Sequence, residues 1–400
     1  MTPLSSEVTK ASGSIALFSA QYPPHMGGIE NFTQSAARAL ARRDNRVVVV
    51  TNDTEGLGAG WSDEGGVEVL RLPCVPLVSG RLPLPRAGAE CRRLLGELRA
   101  RDVDGVLVNA RFYPHSILGM RFARERGLQP VVLDHGSAWL SFSNPALDPC
   151  VRLYERLMTA WGRRYRPAYY GISQKSVAWL GELGIRAVGI ISNAIDATEF
   201  RVLSSGRDFR SELGVGKDAF VVAFVGRLIP EKGVAAVIEA SRAEELRRRG
   251  VVFVLAGDGP LADEVRAVEG PGLQWVGPLG RPDVSALLQQ ADVLCLPSRS
   301  EGFATTLLEA AACGCPSVVT DVGGARELIP DARYGTIISS ATAEEIVRAL
   351  TCLGVEGSPD KIQSTQERQE LVERSFTWDK TAAAIERAVL GGAAGRENSR

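Results

Sequence analysis

The sequence predicts an α/β protein made of two doubly wound domains. Its 400 residues exceed what one hydrophobic core usually organises, so the length favours two domains. Short apolar runs alternate with longer helical patterns through both halves of the chain. Most of these runs are apolar at every position, which is typical of parallel strands that helices cover on both faces.

Six runs predict strands in the first half: Ile15–Ser19, Val47–Thr51, Val67–Arg71, Gly105–Val108, Val131–Leu133 and Tyr169–Ile172. Six more follow, at Val188–Ile191, Phe220–Val225, Val251–Ala256, Leu273–Val276, Val293–Leu296 and Ser317–Thr320. The helical patterns between them include Ile29–Arg42, Ala87–Arg101, Gly233–Arg249 and Thr305–Cys313.

Polar stretches set the predicted domain boundaries. A strand gives way to the polar segment after Asn193, so we predict a first domain over 13–192 and a second over 193–375. Thr377 is a plausible N-cap for a final helix at about 376–392. The polar or small residues at 1–12 and 393–400 predict disordered termini.

Composition argues against several classes of protein. The formal net charge is −1, so no global field draws the chain to nucleic acid. No apolar stretch approaches the ~20 residues that span a bilayer. Seven scattered cysteines favour reduced thiols in a cytoplasmic protein. Cys313 and Cys315 could suggest a metal site, but no second Cys or His pair stands nearby, which favours a buried structural pair.

Two cations follow a predicted strand of the second domain. Phe220–Val225 ends in Gly226 and Arg227, and Lys232 comes just before a predicted helix. Ligands of open α/β sheets bind beyond the carboxyl ends of strands. Arginine, lysine and a helix N-terminus together suit a diphosphate. The alternative is that both cations are ordinary solvated surface charges.

Two more strand ends of this domain carry polar side chains. Gly257 and Asp258 form a turn after one strand, where Asp258 either meets a ligand hydroxyl or stabilises the turn. Glu301 lies in the loop after another strand, and Glu309 lies eight positions later inside a helix. An unpaired charge among Leu, Ala and Cys is costly, so Glu309 needs hydroxyl or amide partners such as a ribose diol. The alternatives are helix-terminus complementarity for Glu301 and an internal salt bridge for Glu309.

The first domain offers weaker candidates. Gly27 and Gly28 open a helix after the first strand, where backbone amides can approach a phosphate. His135 follows the strand at Val131–Leu133 and could donate a hydrogen bond to a sugar hydroxyl. Lone histidines are more often structural, and His25 and His115 have still less in their favour.

Taken in order, these motifs resemble family 4 of the GT-B glycosyltransferases over nearly the whole chain. The matching pieces are Gly27–Glu30, His135-Gly136, Ser192–Asp196, Gly226-Arg227, Glu231–Gly233, Gly257–Pro260, the pair Glu301/Glu309 and Phe376–Asp379. The resemblance implies two Rossmann-like domains that face a cleft, with a C-terminal helix that crosses back to the first domain. It also implies retaining transfer from a nucleotide-diphosphate sugar without a metal or other cofactor.

The resemblance assigns a role to each candidate residue. Arg227 and Lys232 would hold the diphosphate, and Glu309 would bind the ribose. Glu301, with the amides of Phe303 and Ala304, would bind the transferred sugar, which His135 would help to position. The backbone at Gly28 would approach the phosphates. This chain departs from the family at Ala304, Thr305 and Thr306, which follow Phe303 where a second glycine is common, and at Asn193–Asp196, which lacks the usual turn glycine.

Other functions stay open at this stage. A GT-B relative with different sugar-nucleotide chemistry, such as an epimerase, would need further carboxylates, and a phosphorylase would need a pyridoxal lysine. A non-catalytic nucleotide-sugar-binding protein would not need the retained His135, Arg227, Lys232 and both glutamates. An oxidoreductase is disfavoured because no Gly-x-Gly-x-x-Gly follows the first strand.

The acceptor is expected to be a sugar or a lipid-linked precursor. Residues 151–167 carry Trp161, Tyr165 and five arginines. Such a segment could lie on anionic lipid at the inner face of the membrane, beside a lipid-linked acceptor. The alternative is a solvated helix of the first domain whose arginines either snorkel to water or pair with Glu155.

Overall fold

A computed structural model gives the fold of the chain and describes residues 12–25, 27–77, 82–140, 147–216, 218–353 and 360–394. The termini predicted to be disordered, 1–12 and 393–400, lie outside these residues except for Ser12, Ala393 and Ala394. The two alanines are helical, so the final helix extends two residues beyond the predicted end at 392.

The chain forms two compact units. The first comprises Met1–Ile172, Trp179–Ile191 and Trp378–Arg400, and the second comprises Ser173–Ala178 and Ser192–Thr377. Residues 173–178, which the sequence assigns to the first domain, therefore pack with the second unit. The reason is a set of hydrogen bonds from Ser173, Gln174 and Lys175 to Gly302, Glu327 and Asp321 of that unit.

The first unit contains a mainly parallel sheet. The strands of this unit are β1 (Ser14–Phe18), β2 (Arg46–Asn52), β3 (Gly60–Asp63), β4 (Glu68–Leu72), β5 (Cys74–Leu77), β6 (Leu82–Pro85), β7 (Gly105–Asn109), β8 (Val131–Asp134), β9 (Ala168–Gly171) and β10 (Gly189–Ile190). Its helices are α1 (Gly28–Ala41), α2 (Ala89–Arg99), α3 (Pro114–Glu125), α4 (Asp148–Arg163) and α5 (Gln174–Glu182), the last of which begins in the second unit.

The order of strands in this sheet is β10-β9-β8-β7-β1-β2-β4-β3. Only β3 runs antiparallel, against β4, while β5 and β6 form a separate antiparallel pair. Because β1 lies between β7 and β2, the direction of winding reverses beside β1. The sequence pattern does not predict β3, β5 and β6, since glycine, proline and polar residues interrupt their apolar runs.

The second unit contains a six-stranded parallel sheet. Its strands are β11 (Phe220–Val225), β12 (Val251–Ala256), β13 (Leu273–Trp275), β14 (Val293–Leu296), β15 (Ser317–Thr320) and β16 (Gly335–Ile338). Its helices are α6 (Ala197–Val202), α7 (Phe209–Glu212), α8 (Val234–Ser241), α9 (Glu244–Arg248), α10 (Ala262–Arg266), α11 (Arg281–Gln290), α12 (Thr305–Ala312), α13 (Ala325–Leu328), α14 (Ala343–Cys352) and α15 (Asp360–Ser375).

The order β13-β12-β11-β14-β15-β16 places the reversal of winding between β11 and β14. The buried and continuously apolar strands confirm the predicted doubly wound class. The prediction of a single helix over Gly233–Arg249 is wrong. It breaks into α8 and α9 because Ala243 adopts an extended conformation, with φ −63° and ψ 123°.

The last helix, α16 (Trp378–Ala394), belongs to the first unit. Its apolar face is buried through Ala382, Ile385 and Val389. A polar anchor accompanies this packing, because Arg43 donates two hydrogen bonds of 2.9 Å to the carboxylate of Glu386. Asn45 adds a third at 2.7 Å. The C-terminal segment is therefore held by a satisfied and nearly buried carboxylate.

We expect Glu386→Ala to lower the free energy of unfolding by roughly 3 kcal/mol, because it leaves Arg43 and Asn45 without their common acceptor. The control is Asp379→Ala, since Asp379 also pairs with Arg43 but its side chain is 73% exposed. Urea unfolding measures both variants. Equal losses in the two variants would contradict a special role for the buried anchor.

Candidate active site

The polar residues of the second unit gather at its switch point. The loops after β11 and β14 leave adjacent strands on either side of the reversal. The first loop carries Arg227 and Lys232, and the second carries Glu301. Parallel strands place both loops at the same edge of the sheet, so the topology alone brings the predicted cations and the carboxylate together.

Two glycines let the loops at this edge pack closely. Gly233 has φ 72°, and a Cβ there would lie 2.2 Å from the Pro297 carbonyl oxygen. Gly257 has φ 143°, and a Cβ there would lie 1.8 Å from the Gly226 carbonyl oxygen. Only glycine fits either position. The loop after β11 is thus pressed between the loops after β14 and β12.

Lys232 forms an ion pair with Glu301 across the switch point. Lys232 ends a short 3-10 helix, Pro230–Lys232, and its Nζ contacts Glu301 Oε1. Ser298 donates a hydrogen bond of 2.7 Å to the same oxygen. The two side chains are only 19% and 13% exposed, so separating them without new partners would leave charges poorly solvated. A ligand that separates them must offer an anion to Lys232 and hydrogen-bond donors to Glu301.

Arg227 differs from Lys232 in its surroundings. It is exposed, and no ion pair joins it to an acid within the part of the chain that the structure describes. Its neighbour Leu228 is buried and is tied to the adjoining turn by a backbone hydrogen bond, since its N–H donates to Asp258 O at 2.8 Å. Arg227 is therefore an available cation on an anchored loop.

The side chain of Asp258 takes part in its own turn. Its Oδ1 accepts a hydrogen bond of 2.7 Å from the N–H of Gly259. The residue is exposed, so its other carboxylate oxygen can still meet a ligand.

The start of α12 follows directly on Glu301. Phe303 is buried, with its ring centroid 5.8 Å from that of Phe376. Ala304 is the N-cap residue and makes no side-chain capping hydrogen bond, while Thr305 begins the helix and is exposed. A helix end of this kind presents N–H groups without a side-chain acceptor.

Glu309 lies one turn further along α12 and is only partly exposed. Burial raises the pKa of Glu309 to about 7, and the positive charge of Arg281 opposes this rise. Among the described residues, no hydrogen bond to the Glu309 carboxylate is found. The internal salt bridge that was the alternative for Glu309 is thus absent among the described residues, where only a longer-range attraction to Arg281 is found. A carboxylate in this setting gains most from hydroxyl or amide donors.

In the first unit, Gly27 and Gly28 begin α1. Gly27 is its N-cap residue with an extended backbone, and Gly28 is exposed, with open space for 4 Å around the position that a Cβ would take. The buried Glu30 folds back over Gly27, where a Cβ would lie 2.2 Å from Glu30 Oε2. Burial raises the pKa of Glu30. The helix end therefore already has an acidic side chain beside it.

A chain of hydrogen bonds fixes the protonation of His135. The Thr33 hydroxyl donates to the Ile29 carbonyl at 2.7 Å, so its oxygen accepts from Asn109 Nδ2 at 3.0 Å. Asn109 Oδ1 is then left to accept from His135 Nε2–H at 2.9 Å. Burial lowers the pKa of His135 to about 3, which keeps the ring neutral. The remaining Nδ1 is an acceptor, whereas the role predicted for His135 from the sequence is to donate a hydrogen bond to a sugar hydroxyl.

A buried charge network flanks the same histidine. Arg111 donates to both Asp134 oxygens at 2.9 Å and to Glu155 Oε2 at 2.7 Å. Glu155 Oε1 accepts a hydrogen bond of 2.7 Å from the N–H of Leu140. Asp134 precedes His135 and Leu140 follows it, so the network holds both ends of this loop. Glu155 therefore pairs with the buried Arg111 and not with the arginines of its own helix, which was one possibility within the alternative of a solvated helix.

Three residues of these networks are not among the candidates predicted from the sequence: Ser298, Asn109 and Arg111. Ser298 and Asn109 each end or follow a predicted strand, a position that could have marked them. Arg111 had no such signal, because its acidic partners lie 23 and 44 residues away. His25 bonds to Gln21 and Glu55, and His115 is fully buried with its Nε2 on the Val50 carbonyl. Cys315 is buried and Cys313 partly so.

Comparison with known proteins identifies the class. The family described as Glycosyltransferase Family 4 matches residues 26–199, and the family described as Glycosyl transferases group 1 matches residues 219–354. The chain belongs to these family 4 glycosyltransferases of GT-B fold, and it is an enzyme of that class.

Individual relatives agree with this assignment. The uncharacterized glycosyltransferase MJ1069 of Methanocaldococcus jannaschii is 21% identical over 92% of this chain and 95% of its own length. The D-inositol 3-phosphate glycosyltransferase of Saccharomonospora viridis is 30% identical, but the match covers 50% of this chain and 49% of that protein. This chain thus aligns with about half the length of that relative.

Solved structures support the fold. Sucrose-phosphate synthase from Thermosynechococcus elongatus has a TM-score of 0.72 at 18% identity, covering 96% of this chain and 98% of that one. The Anabaena protein Alr3699/HepE, solved in complex with UDP and glucose, has a TM-score of 0.64 at 20% identity and covers 97% and 100%.

We expect the affinity for a nucleotide sugar to rise as the pH increases from 6 to 8. The pKa of Glu309 is raised to about 7, so its carboxylate, the better acceptor for hydroxyl groups, is gained across this range. A nucleotide sugar suits the test because both of its phosphates are esterified and hold a constant charge. Calorimetric titration measures the dependence, and Glu309→Gln should abolish it. An unchanged pH dependence in Glu309→Gln would contradict this origin.

Proposed function

We propose that this glycosyltransferase transfers a sugar from a nucleotide-diphosphate sugar to a hydroxyl acceptor, with retention of anomeric configuration and without a divalent metal. The observation that supports it best is the Lys232–Glu301 pair at the switch point, with the exposed Arg227 on the same loop as Lys232. This arrangement offers cations for a diphosphate beside a carboxylate for sugar hydroxyls.

The donor's phosphates fit the cations of the loop after β11. Arg227 can bind two phosphate oxygens with its planar guanidinium, while Lys232 contributes a point charge. As the bond to the sugar breaks, negative charge grows on the leaving diphosphate, and these cations stabilise it there. They supply the positive charge that a metal would otherwise provide, which is our reason for proposing metal independence.

The remaining candidate residues divide the donor between them. Glu309 suits the ribose diol, because its carboxylate lacks a hydrogen-bond donor among the described residues. Glu301, released from Lys232, accepts hydrogen bonds from the transferred sugar, and the backbone N–H groups of Phe303 and Ala304 beside the start of α12 donate hydrogen bonds to it. The family resemblance assigns His135 to the sugar and Gly27 and Gly28 to the phosphates, while Gly226, Gly257 and Asp258 shape the loops at the edge of the second unit's sheet.

Retention is proposed from the family resemblance. A double displacement would need a carboxylate nucleophile, and this proposal gives Glu301 to the sugar hydroxyls and Glu309 to the ribose. We therefore favour attack on the face from which the diphosphate departs, with a leaving phosphate oxygen taking the acceptor's proton. Product NMR that shows an inverted anomeric centre would contradict retention.

We expect Lys232→Ala and Glu309→Ala each to lower kcat/KM at least about 100-fold while the fold stays intact. The loss reflects a missing contact to the diphosphate or the ribose. Donor panels of UDP-, GDP- and ADP-sugars, with the melting temperature as a fold check, measure it. The control Arg248→Ala removes an exposed cation of the same unit, 76% exposed, and should retain full activity. Activity within a few-fold of wild type would refute the assigned role.

We also propose that α4 binds an anionic membrane surface from the cytoplasmic side, next to a lipid-linked acceptor. Leu153, Leu157 and Trp161 are 57%, 62% and 49% exposed and recur at a spacing of four residues, which gives one apolar stripe. Arg152, Arg156, Arg163, Arg164 and Arg166 are all exposed. The central acid of the helix, Glu155, is buried, so the outer face is predominantly positive.

An anionic bilayer is the occupant that matches this face in both respects, since it accepts the apolar stripe and attracts the arginines. The association would be peripheral. Among the described residues, no helix combines the length and the apolar character that a membrane crossing needs.

We expect the protein to sediment with phosphatidylglycerol vesicles and not with phosphatidylcholine vesicles, because the arginines need anionic headgroups. Replacing both Leu153 and Leu157 with Glu should abolish binding. The control Val202→Glu alters an apolar residue of the second unit that is 79% exposed, and it should bind normally. Absence of vesicle binding by the wild type would refute the proposal. It would also be refuted if the double variant changed from dimer to monomer while its binding to vesicles stayed unchanged.

A further inference from the structure

Three consecutive residues that follow a strand of the first unit contact the candidate sugar loop of the second. Ser173, Gln174 and Lys175 follow β9 at the start of α5 and pack within the second unit. Neither the family resemblance nor the predicted site includes them. Their contacts converge on the loop at Glu301–Phe303 and on the turn that supports it.

Ser173 holds this loop directly. It is fully buried, its hydroxyl donates a hydrogen bond of 3.0 Å to the Gly302 carbonyl, and its oxygen accepts one of 3.1 Å from the N–H of Ser176. The Gly302 carbonyl belongs to the peptide group between Gly302 and Phe303, one residue after Glu301. The bond therefore restrains the backbone that aims the Glu301 side chain.

The neighbouring residues hold the supporting turn. The N–H of Gln174 donates to Glu327 Oε1 at 2.7 Å, and Lys175 Nζ donates to Asp321 Oδ2 at 2.7 Å. The turn between these acids packs on the loop, since a Cβ on Gly323 would lie 3.0 Å from both the Glu301 Cβ and the Gly302 carbonyl oxygen. The loop is thus enclosed between residues 173–175 and this turn.

We propose that Ser173 is a positioning residue for sugar recognition. It acts through the Gly302 carbonyl, keeping the Glu301 carboxylate directed at the sugar of the donor while leaving the diphosphate contacts of Lys232 and Arg227 untouched. The assignment rests on the proposed function, because it deepens the role given there to Glu301. It differs from general structural support in a measurable way, since it concerns the sugar and not the nucleotide.

The test compares affinities for nucleoside diphosphates and for the matching sugar donors. UDP, GDP and ADP, and then UDP-glucose, GDP-mannose and ADP-glucose, are titrated calorimetrically into wild type and Ser173→Ala. We expect Ser173→Ala to bind the preferred nucleoside diphosphate within twofold of wild type. Its affinity for the sugar donor and its kcat should each fall roughly tenfold, the loss typical of one buried hydrogen bond.

Two further variants make the result specific. Ser241→Ala removes another buried serine hydroxyl, which donates a hydrogen bond of 2.7 Å to the Ile238 carbonyl. This bond does not involve the loop at Glu301–Phe303, so the variant should leave both affinities unchanged. Glu327→Ala removes the acceptor of the Gln174 N–H and should reproduce the selective loss. It also provides a second test if Ser173→Ala does not fold.

Two results would overturn the inference while leaving the proposed function standing: equal losses for diphosphate and sugar donor, or wild-type behaviour in both Ser173→Ala and Glu327→Ala. A wild-type protein that binds none of the six compounds would instead refute the proposed function, and the inference with it.

Discussion

The ion pair between Lys232 and Glu301 is the interaction on which the candidate site depends. It joins the loops that leave β11 and β14, and both partners are largely withdrawn from solvent. Because both charges are poorly solvated, their attraction is strong, and leaving either charge without a partner would be destabilising. A donor that carries phosphate and sugar can replace both partners at once, whereas a nucleoside diphosphate can satisfy only Lys232. The pair thereby links recognition of the two halves of the donor.

The fold brings the two partners together by packing the backbones of their loops closely. Gly233 and Gly257 let three loops stack at one edge of the sheet, where side chains of any size would force them apart. In the first unit, hydrogen bonds from Thr33 through Asn109 to His135 determine which ring nitrogen of His135 carries the proton. In both units, residues distant from the ligand contacts determine the orientation of the residues that would make them.

Much of this organisation could be predicted from sequence. Continuous apolar runs identify the parallel strands, and their order places Arg227, Lys232 and Glu301 at strand ends. The short, polar or proline-containing strands β3, β5 and β6 escape prediction because pairing with a neighbouring strand defines them, not a continuous apolar pattern. Long-range partners escape for a related reason. No spacing rule links Ser173 to Gly302, 129 residues away, or Arg111 to its two acids. Tertiary structure alone brings them together.

The most direct measurement concerns Glu301→Gln, with nucleoside diphosphate binding and sugar transfer determined on the same protein. The substitution removes the charge that competes for Lys232 but keeps the shape of the side chain. We predict that the diphosphate then binds more tightly than to wild type, because Lys232 is released, while transfer falls at least about 100-fold because the sugar loses its charged acceptor. Weaker diphosphate binding, or transfer close to the wild-type rate, would contradict the proposed exchange of partners at the switch point.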